Sequence, residues 1–184
     1  AVLIAESIAG DSVIGHTGAY CGAIEALARA HKSPRAQSIR GIALELERLA
    51  NHVGDLGAIA GDVAYQPAAA FFGRMRGDLL NMLMLVSGNR FGRGLVRPGG
   101  VGFDITPQMV TELHDRLEQL RGELRQVAAL MFDSASVQAR LEGIGVVSPT
   151  QAREMGLVGP VARSCEVARA DAVSRRVLAE HMPT

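Results

Sequence analysis

The sequence has no tryptophan, two tyrosines and five phenylalanines. So few aromatic side chains make stacking platforms for single-stranded nucleic acid scarce. Its 19 basic residues are matched by 19 acidic ones, and no excess of one sign points to nucleic acid or to an anionic lipid surface. Two cysteines, Cys21 and Cys165, form neither a disulfide framework nor a CxxC pair. That usage suits a reducing compartment. No run reaches the ~20 apolar residues that a membrane-spanning helix needs, and the longest weakly polar stretch, Leu56 to Phe72, is broken by Asp62 and Pro67. Lysine is almost missing: Lys32 stands alone among arginines, a bias to which we attach no functional weight. The opening AVLIAESIAG has no basic lead of the kind that starts a secretory signal and no initiator methionine. It reads as a piece of something longer.

What is present is a chain of 184 residues, 48% hydrophobic and 21% charged, with a mean hydropathy of +0.16. That excludes global disorder and allows one cored domain, with or without an appendage. Ser33-Pro34, Thr106-Pro107 and Ser148-Pro149 each place a capping hydroxyl before a proline, so helices are expected to begin near 34, 107 and 149. From 34 to about 64, Ile39, Ile42, Leu46, Leu49, Val53, Leu56, Ala60 and Val63 recur at alternating steps of 3 and 4. This is a heptad stripe on a helix spanning roughly 45 Å. Val110, Leu113, Leu117, Leu120, Leu124, Val127 and Met131 repeat the pattern. Residues 68–87 and the glycine-rich 12–31 read as two further helices. Strand signals are thin: Ala1 to Ala5 is one candidate, and Gly94 to Phe103 an irregular hairpin. After 136 short apolar pieces alternate with glycines, and a last helix is expected over about 167–181. The expected fold is mainly α: a long antiparallel helix bundle over 1–136 with minor β elements, and a small irregular C-terminal lobe over 137–184.

Three constellations carry candidate chemistry. Glu45, Arg48, His52, Asp55 and Asp62 fall at steps of 3, 4, 3 and 7 and line one side of the long helix. A polar seam beside a packing seam becomes a site if neighbouring helices partly desolvate it. It is otherwise a salt-bridged flank, with His52 satisfied by Asp55. One histidine and two carboxylates on one helix make only a weak metal pattern. The second constellation, GNRFGRGLVRPGG at 88–100, has the glycines and arginines to cradle an anion but lacks a nucleotide-loop pattern. It reads equally as a turn-rich connection needing positive φ. The third, Asp11, Ser12 and His16, has no nucleophile elbow and makes a poor hydrolytic triad; His16 four residues after Ser12 also fits a helix-start contact.

Taken together, four ordered segments resemble one family: PRAQSIRGIALELERLANHVGDLGAIAGD (34–62), FGRMRGDLL (72–80), RPGGVGFD (97–104) and GLVGPVARS (156–164). They look like the large subunit of membrane-bound [NiFe] hydrogenases and its relative, the 49-kDa (D-chain) subunit of respiratory complex I. The resemblance runs from about Glu6 to Asp171. ELERLANHVGDLG reads closest to the formate-hydrogenlyase or hydrogenase-4 type.

The resemblance implies a long-helix bundle with small β elements. It implies a subunit of a membrane-associated oxidoreductase complex of NADH:quinone oxidoreductase or formate-hydrogenlyase type, cytoplasmic and peripheral to the inner membrane. Such a subunit docks on an iron–sulfur partner subunit and has no membrane span of its own. By resemblance, His52 is a proton-linked redox group and Asp62 borders the quinone or active cavity. Glu45 and Arg48 match the ExxR of the same helix, and Arg74 and Arg76 the RxR of the next; these four are supporting residues.

The family's nickel-binding ERxCGxCxxxH aligns with ESIAGDSVIGH, where Ala9 and Ser12 replace both thiolates, and Gly10 falls where complex I carries a quinone-contacting tyrosine. A second CxxC is not in this chain. No metal or cofactor is therefore expected in this stretch, the iron–sulfur cluster belonging to a partner subunit and quinone to the full complex. No dinucleotide fingerprint is present, so NAD would bind elsewhere in the assembly. Two other readings stay open: a degenerate scaffold subunit without catalysis, and an independent helical interaction module.

Overall fold

The computed structural model describes residues 1–167. The chain divides into two compact units after Ala139. The first unit is built on four helices in antiparallel succession, α2 (Val13–Ala28), α3 (Pro34–Asp62), α4 (Gln66–Ser87) and α5 (Pro107–Phe132), preceded by a single helical turn, α1 (Val2–Ala5). Helix α6 (Ala135–Leu141) follows α5 across the division. The second unit holds the short helices α7 (Pro149–Glu154) and α8 (Gly159–Ser164), joined by glycines with positive φ. The expected helix over 167–181 lies outside the described residues.

The three hydroxyl–proline starts are where the sequence places them. Ser33 accepts the N–H of Ala36, Thr106 that of Met109 and Ser148 that of Gln151, each satisfying an orphan donor of the first turn. Ala1 to Ala5 is not a strand. It closes on itself, with the N–H groups of Ala5 and Glu6 donating to the carbonyls of Ala1 and Val2, because a strand needs a neighbour to pair with and none lies alongside. The hairpin is real but short: β1 (Val96–Arg97) pairs antiparallel with β2 (Gly100–Val101).

Helix α4 is the centre of the core. Phe72, Met75, Leu79, Met82 and Leu83 are almost entirely buried, each worth ~1.5–3 kcal/mol of apolar burial. Helix α4 packs on α3 most extensively and on α5 less, while α2 lies against α3 and β1.

The heptad stripe of α3 is rotated from its expected phase. Ile39, Leu46, Val53 and Ala60 are buried as expected, but their companions are Ala36, Ala43 and Ala50 rather than Ile42 and Leu49, which stay about two-fifths exposed. Gly57 continues the alanine row, and a Cβ there would stand 3.3 Å from that of Phe72. Small residues let α4 come close on that side. The bulkier Ile42 and Leu49, and Ile59 further round the helix, are left uncovered among the described residues. The apolar arc of α3 is thus wider than its neighbours here fill. Among the described residues no helix is long and apolar enough to cross a membrane.

Candidate functional site: the cleft at the amino end of α2

The segment from Ala9 to Ser12 turns into α2, and three elements hold it. Asn51 of α3 donates its side-chain N–H to the Asp11 carbonyl at 2.8 Å. Arg76 of α4 donates to the Asp11 carboxylate at 2.9 Å. Glu47 of α3 accepts the N–H groups of Ile14 (2.6 Å) and Gly15 (2.9 Å). Ser12, the N-cap residue, makes no capping bond with its own side chain; the distant Glu47 carboxylate does the capping and places negative charge at the helix amino end. The result is an open cleft lined by Asp11, Asn51, Gly54, Asp55 and Arg76 on one side of this contact, and by Ser12, His16, Glu47 and Arg48 on the other.

Glu47 is 7% exposed. Burial pushes its carboxyl above the usual range. The Ile14 and Gly15 N–H bonds and the His16 charge pull the other way, and Asp11 adds to the rise. At the opposite end of α2, Glu25 is buried too, but it accepts two bonds from Arg40 (2.7 and 3.1 Å) and one from the Gly99 N–H, with Lys32 at 3.2 Å. The Arg40 bond leads these in lowering its carboxyl to about 2, against burial. Arg40 also reaches the carbonyls of Arg97 and Gly100. With Glu6, which accepts the Gly94 N–H at 2.7 Å, this tethers the 88–100 segment as a structural connection. Gly88, Gly92, Gly94 and Gly99 all have positive φ. The turn-rich reading of that segment holds.

The predicted site residues separate. Arg76 reaches the cleft. Glu45 and Arg48 form an exposed pair at 3.2 Å. Arg74 pairs with Asp78 at 2.7 Å and with Glu123 of α5, a clamp between two helices. His52 is exposed and, among the described residues, has no hydrogen bond or ion pair; the expected Asp55 contact is not made. His52 follows Asn51 by one position, so it leaves α3 about 100° around from the cleft, next to Leu49 and Leu56. Asp62 is exposed at the end of α3, about 15 Å along the axis from His52. Among the described residues no helix desolvates the seam, because α2 and α4 take the other side of α3.

His16 Nδ1 lies 2.8 Å from the Ser12 carbonyl oxygen and Asp11 is taken by Arg76, so the three residues form a helix start and no triad. Sequence reasoning missed Glu47, Glu25 and Asn51. The available signal was a carboxylate in phase with a buried row: Glu47 falls between Ala43 and Ala50, and Glu25 within the run AIEALA.

The donor set does not fit a nickel–thiolate centre. Ala9 has no donor and Ser12 only a hydroxyl. Cys21 is fully buried in α2, and burial, against the nearby Arg40, raises its thiol. Among the described residues no group of three or more histidines, cysteines or carboxylates could hold a metal ion.

Long antiparallel helices with a two-strand hairpin give the chain a fold shared with a subunit of a respiratory membrane complex. That structure, the membrane-bound sulfane sulfur reductase, an archaeal respiratory membrane complex, superposes with a TM-score of 0.71 at 25% identity over 77% of this chain and 38% of that one. The chain belongs to the family described as respiratory-chain NADH dehydrogenase, 49 Kd subunit, which it matches over residues 62–172. It is 33% identical over 160 residues to the membrane-bound hydrogenase subunit alpha of Pyrococcus furiosus, covering 87% of this chain and 38% of that protein. It is 36% identical over 152 residues to NADH-quinone oxidoreductase subunit 4 of Thermus thermophilus, covering 83% and 37%. The chain thus spans well under half the length of these relatives.

Proposed function

We propose that the chain is the helical heart of a large subunit in a membrane-associated oxidoreductase complex. It sits peripherally, on the cytoplasmic face of the inner membrane, against an iron–sulfur partner subunit that delivers electrons to it. The observation that carries the reading is a family member whose His52 stands on the uncovered apolar flank of α3, among Ile42, Leu49 and Ile59. An exposed strip of that kind suits a covering partner, and an imidazole there suits a group that takes up a proton as an electron arrives. Asp62 extends the same helix toward a proton or quinone path, Arg76 fixes the Asp11 turn, and Arg74 holds α5 on α4. Glu45 and Arg48 border His52. With Ala9 and Ser12 in place of thiolates, we derive no step through nickel; the acceptor class we assign to the full complex is quinone.

The test is a redox titration of the neighbouring cluster, followed by electron paramagnetic resonance in the intact complex at several pH values. His52→Ala and His52→Met should flatten the dependence of the midpoint potential on pH. An unchanged slope removes the role of His52. A scaffold reading is favoured by the lost thiolates alone. It predicts a complex that assembles with its iron–sulfur subunit and reduces neither quinone nor protons.

A further inference from the structure

We propose that Glu47 is a positioning residue for the cleft: as a carboxylate it pins the amino end of α2, and with it the segment Ala9–His16, and on taking up a proton it releases them. Its two oxygens face two backbone N–H groups, Ile14 and Gly15, at 2.6 and 2.9 Å. A carboxylate accepts both. In a carboxylic acid one oxygen carries the proton and is a far poorer acceptor, and the charge assistance of both bonds is lost. Protonation therefore weakens the two contacts, and among the described residues no other side chain stands in, since Ser12 does not cap.

The charged surroundings leave Glu47 free to change state. From the turn before α2 it faces Asp11, from α2 itself His16, and from α4 Arg76, which lines the same recess. Arg76 is engaged by Asp11 rather than by Glu47. Its neighbour on α3, Arg48, is paired with Glu45. Among the described residues no cation is bonded to Glu47, in contrast to Glu25, and burial favours its neutral form. Gly15 is part of the device: a Cβ there would lie 3.3 Å from Glu47 Oε1, so the residue at 15 is small where the carboxylate comes in. The pinning stands on this geometry alone; its consequence for turnover rests on the proposed function and on placing this segment, which aligns with the family's nickel-binding stretch, at the border of the working cavity.

The experiment is amide hydrogen exchange over residues 12–18 of the full chain, measured across the acid range and corrected for the intrinsic rate. In the wild type, protection at Ile14 and Gly15 should drop about tenfold as pH falls, the size of one charge-assisted hydrogen bond. Glu47→Gln should show low protection there at every pH and no step. Wild-type protection without a step overturns the proposal, whether or not the variant folds. A step that persists in Glu47→Gln also overturns it, and Asp11→Asn and His16→Asn would then identify the titrating group. In the assembled complex, turnover should fall on the acid side together with protection. A step in protection with no change in turnover supports the pinning and rejects the placement of this segment at the working cavity.

Discussion

The two ends of α2 solve one problem in opposite ways. Each end presents a buried carboxylate that accepts backbone N–H groups, Glu25 from Gly99 and Glu47 from Ile14 and Gly15. At the carboxyl end Arg40 and Lys32 surround Glu25 and keep it ionised. At the amino end no cation among the described residues bonds to Glu47, and Arg76 and Arg48 are paired with Asp11 and Glu45. The first arrangement is a fixed rivet joining α2, α3 and the hairpin. The second is a hold that depends on protonation. Position in the core does not distinguish them, since both are nearly inaccessible; what differs is whether a counter-charge came with the burial.

Removing that counter-charge should have the largest effect. Arg40→Ala takes two hydrogen bonds from the buried Glu25, leaving it Lys32 and the Gly99 N–H, and frees the carbonyls of Arg97 and Gly100. A loss of about 3–5 kcal/mol is expected, read from denaturant midpoints. A loss below ~1 kcal/mol would make the rivet no stronger than a surface pair.

Acid should then tell the two ends apart. The carboxyl of Glu25 is lowered from its ordinary 4.5 to about 2. Its stabilisation is therefore complete above the unfolded value and is lost as pH falls toward 2, at most about 3 kcal/mol in all. Glu47 has the opposite sign. Its carboxyl is raised by burial, so for global unfolding, which returns it to water, stability declines as pH rises through that elevated value, even though the local bonds from Ile14 and Gly15 are strongest to the carboxylate. Unfolding curves of Glu25→Gln and Glu47→Gln against wild type should diverge with pH in opposite directions. Parallel curves would erase the distinction.

Much of this molecule is legible in the sequence, and what is not has a common cause. Ser33, Thr106 and Ser148 mark helix starts because a cap is a local bond between residues three apart. The long period of α3 announces a helix, yet its phase misleads. Ile42 and Leu49 are larger than Ala43 and Ala50, and a reading by size puts them inward. The buried row is the one against which α4 can come close, which is a property of the partner. Glu45, Arg48, His52 and Asp62 stand on α3 and Arg74 and Arg76 on α4, but of these six Arg76 alone bonds to the turn that carries Ala9 and Ser12. Glu47 caps a helix 33 residues upstream. No local spacing announces such a bond; a carboxylate inside an apolar row is the only trace it leaves.

The smallest expected effect sits at the rim of the amino end. Arg76 and Asp11 are 2.9 Å apart with side chains 33% and 64% exposed, so solvent screens the pair and two flexible side chains must be ordered to make it. Arg76→Ala should therefore cost under about 1 kcal/mol of global stability, against several for Arg40→Ala. It also removes the cation bonded to Asp11 among the described residues, while Asn51 still holds the Asp11 carbonyl at 2.8 Å, so the turn should stay attached. The negative charge of Asp11 would then act on Glu47 with less compensation and should raise its carboxyl further. The exchange step at Ile14 and Gly15 should move to higher pH in Arg76→Ala while the denaturant midpoint hardly changes. If the midpoint falls by several kcal/mol instead, the amino end is a rivet like the other, and the contrast between the two ends of α2 is lost.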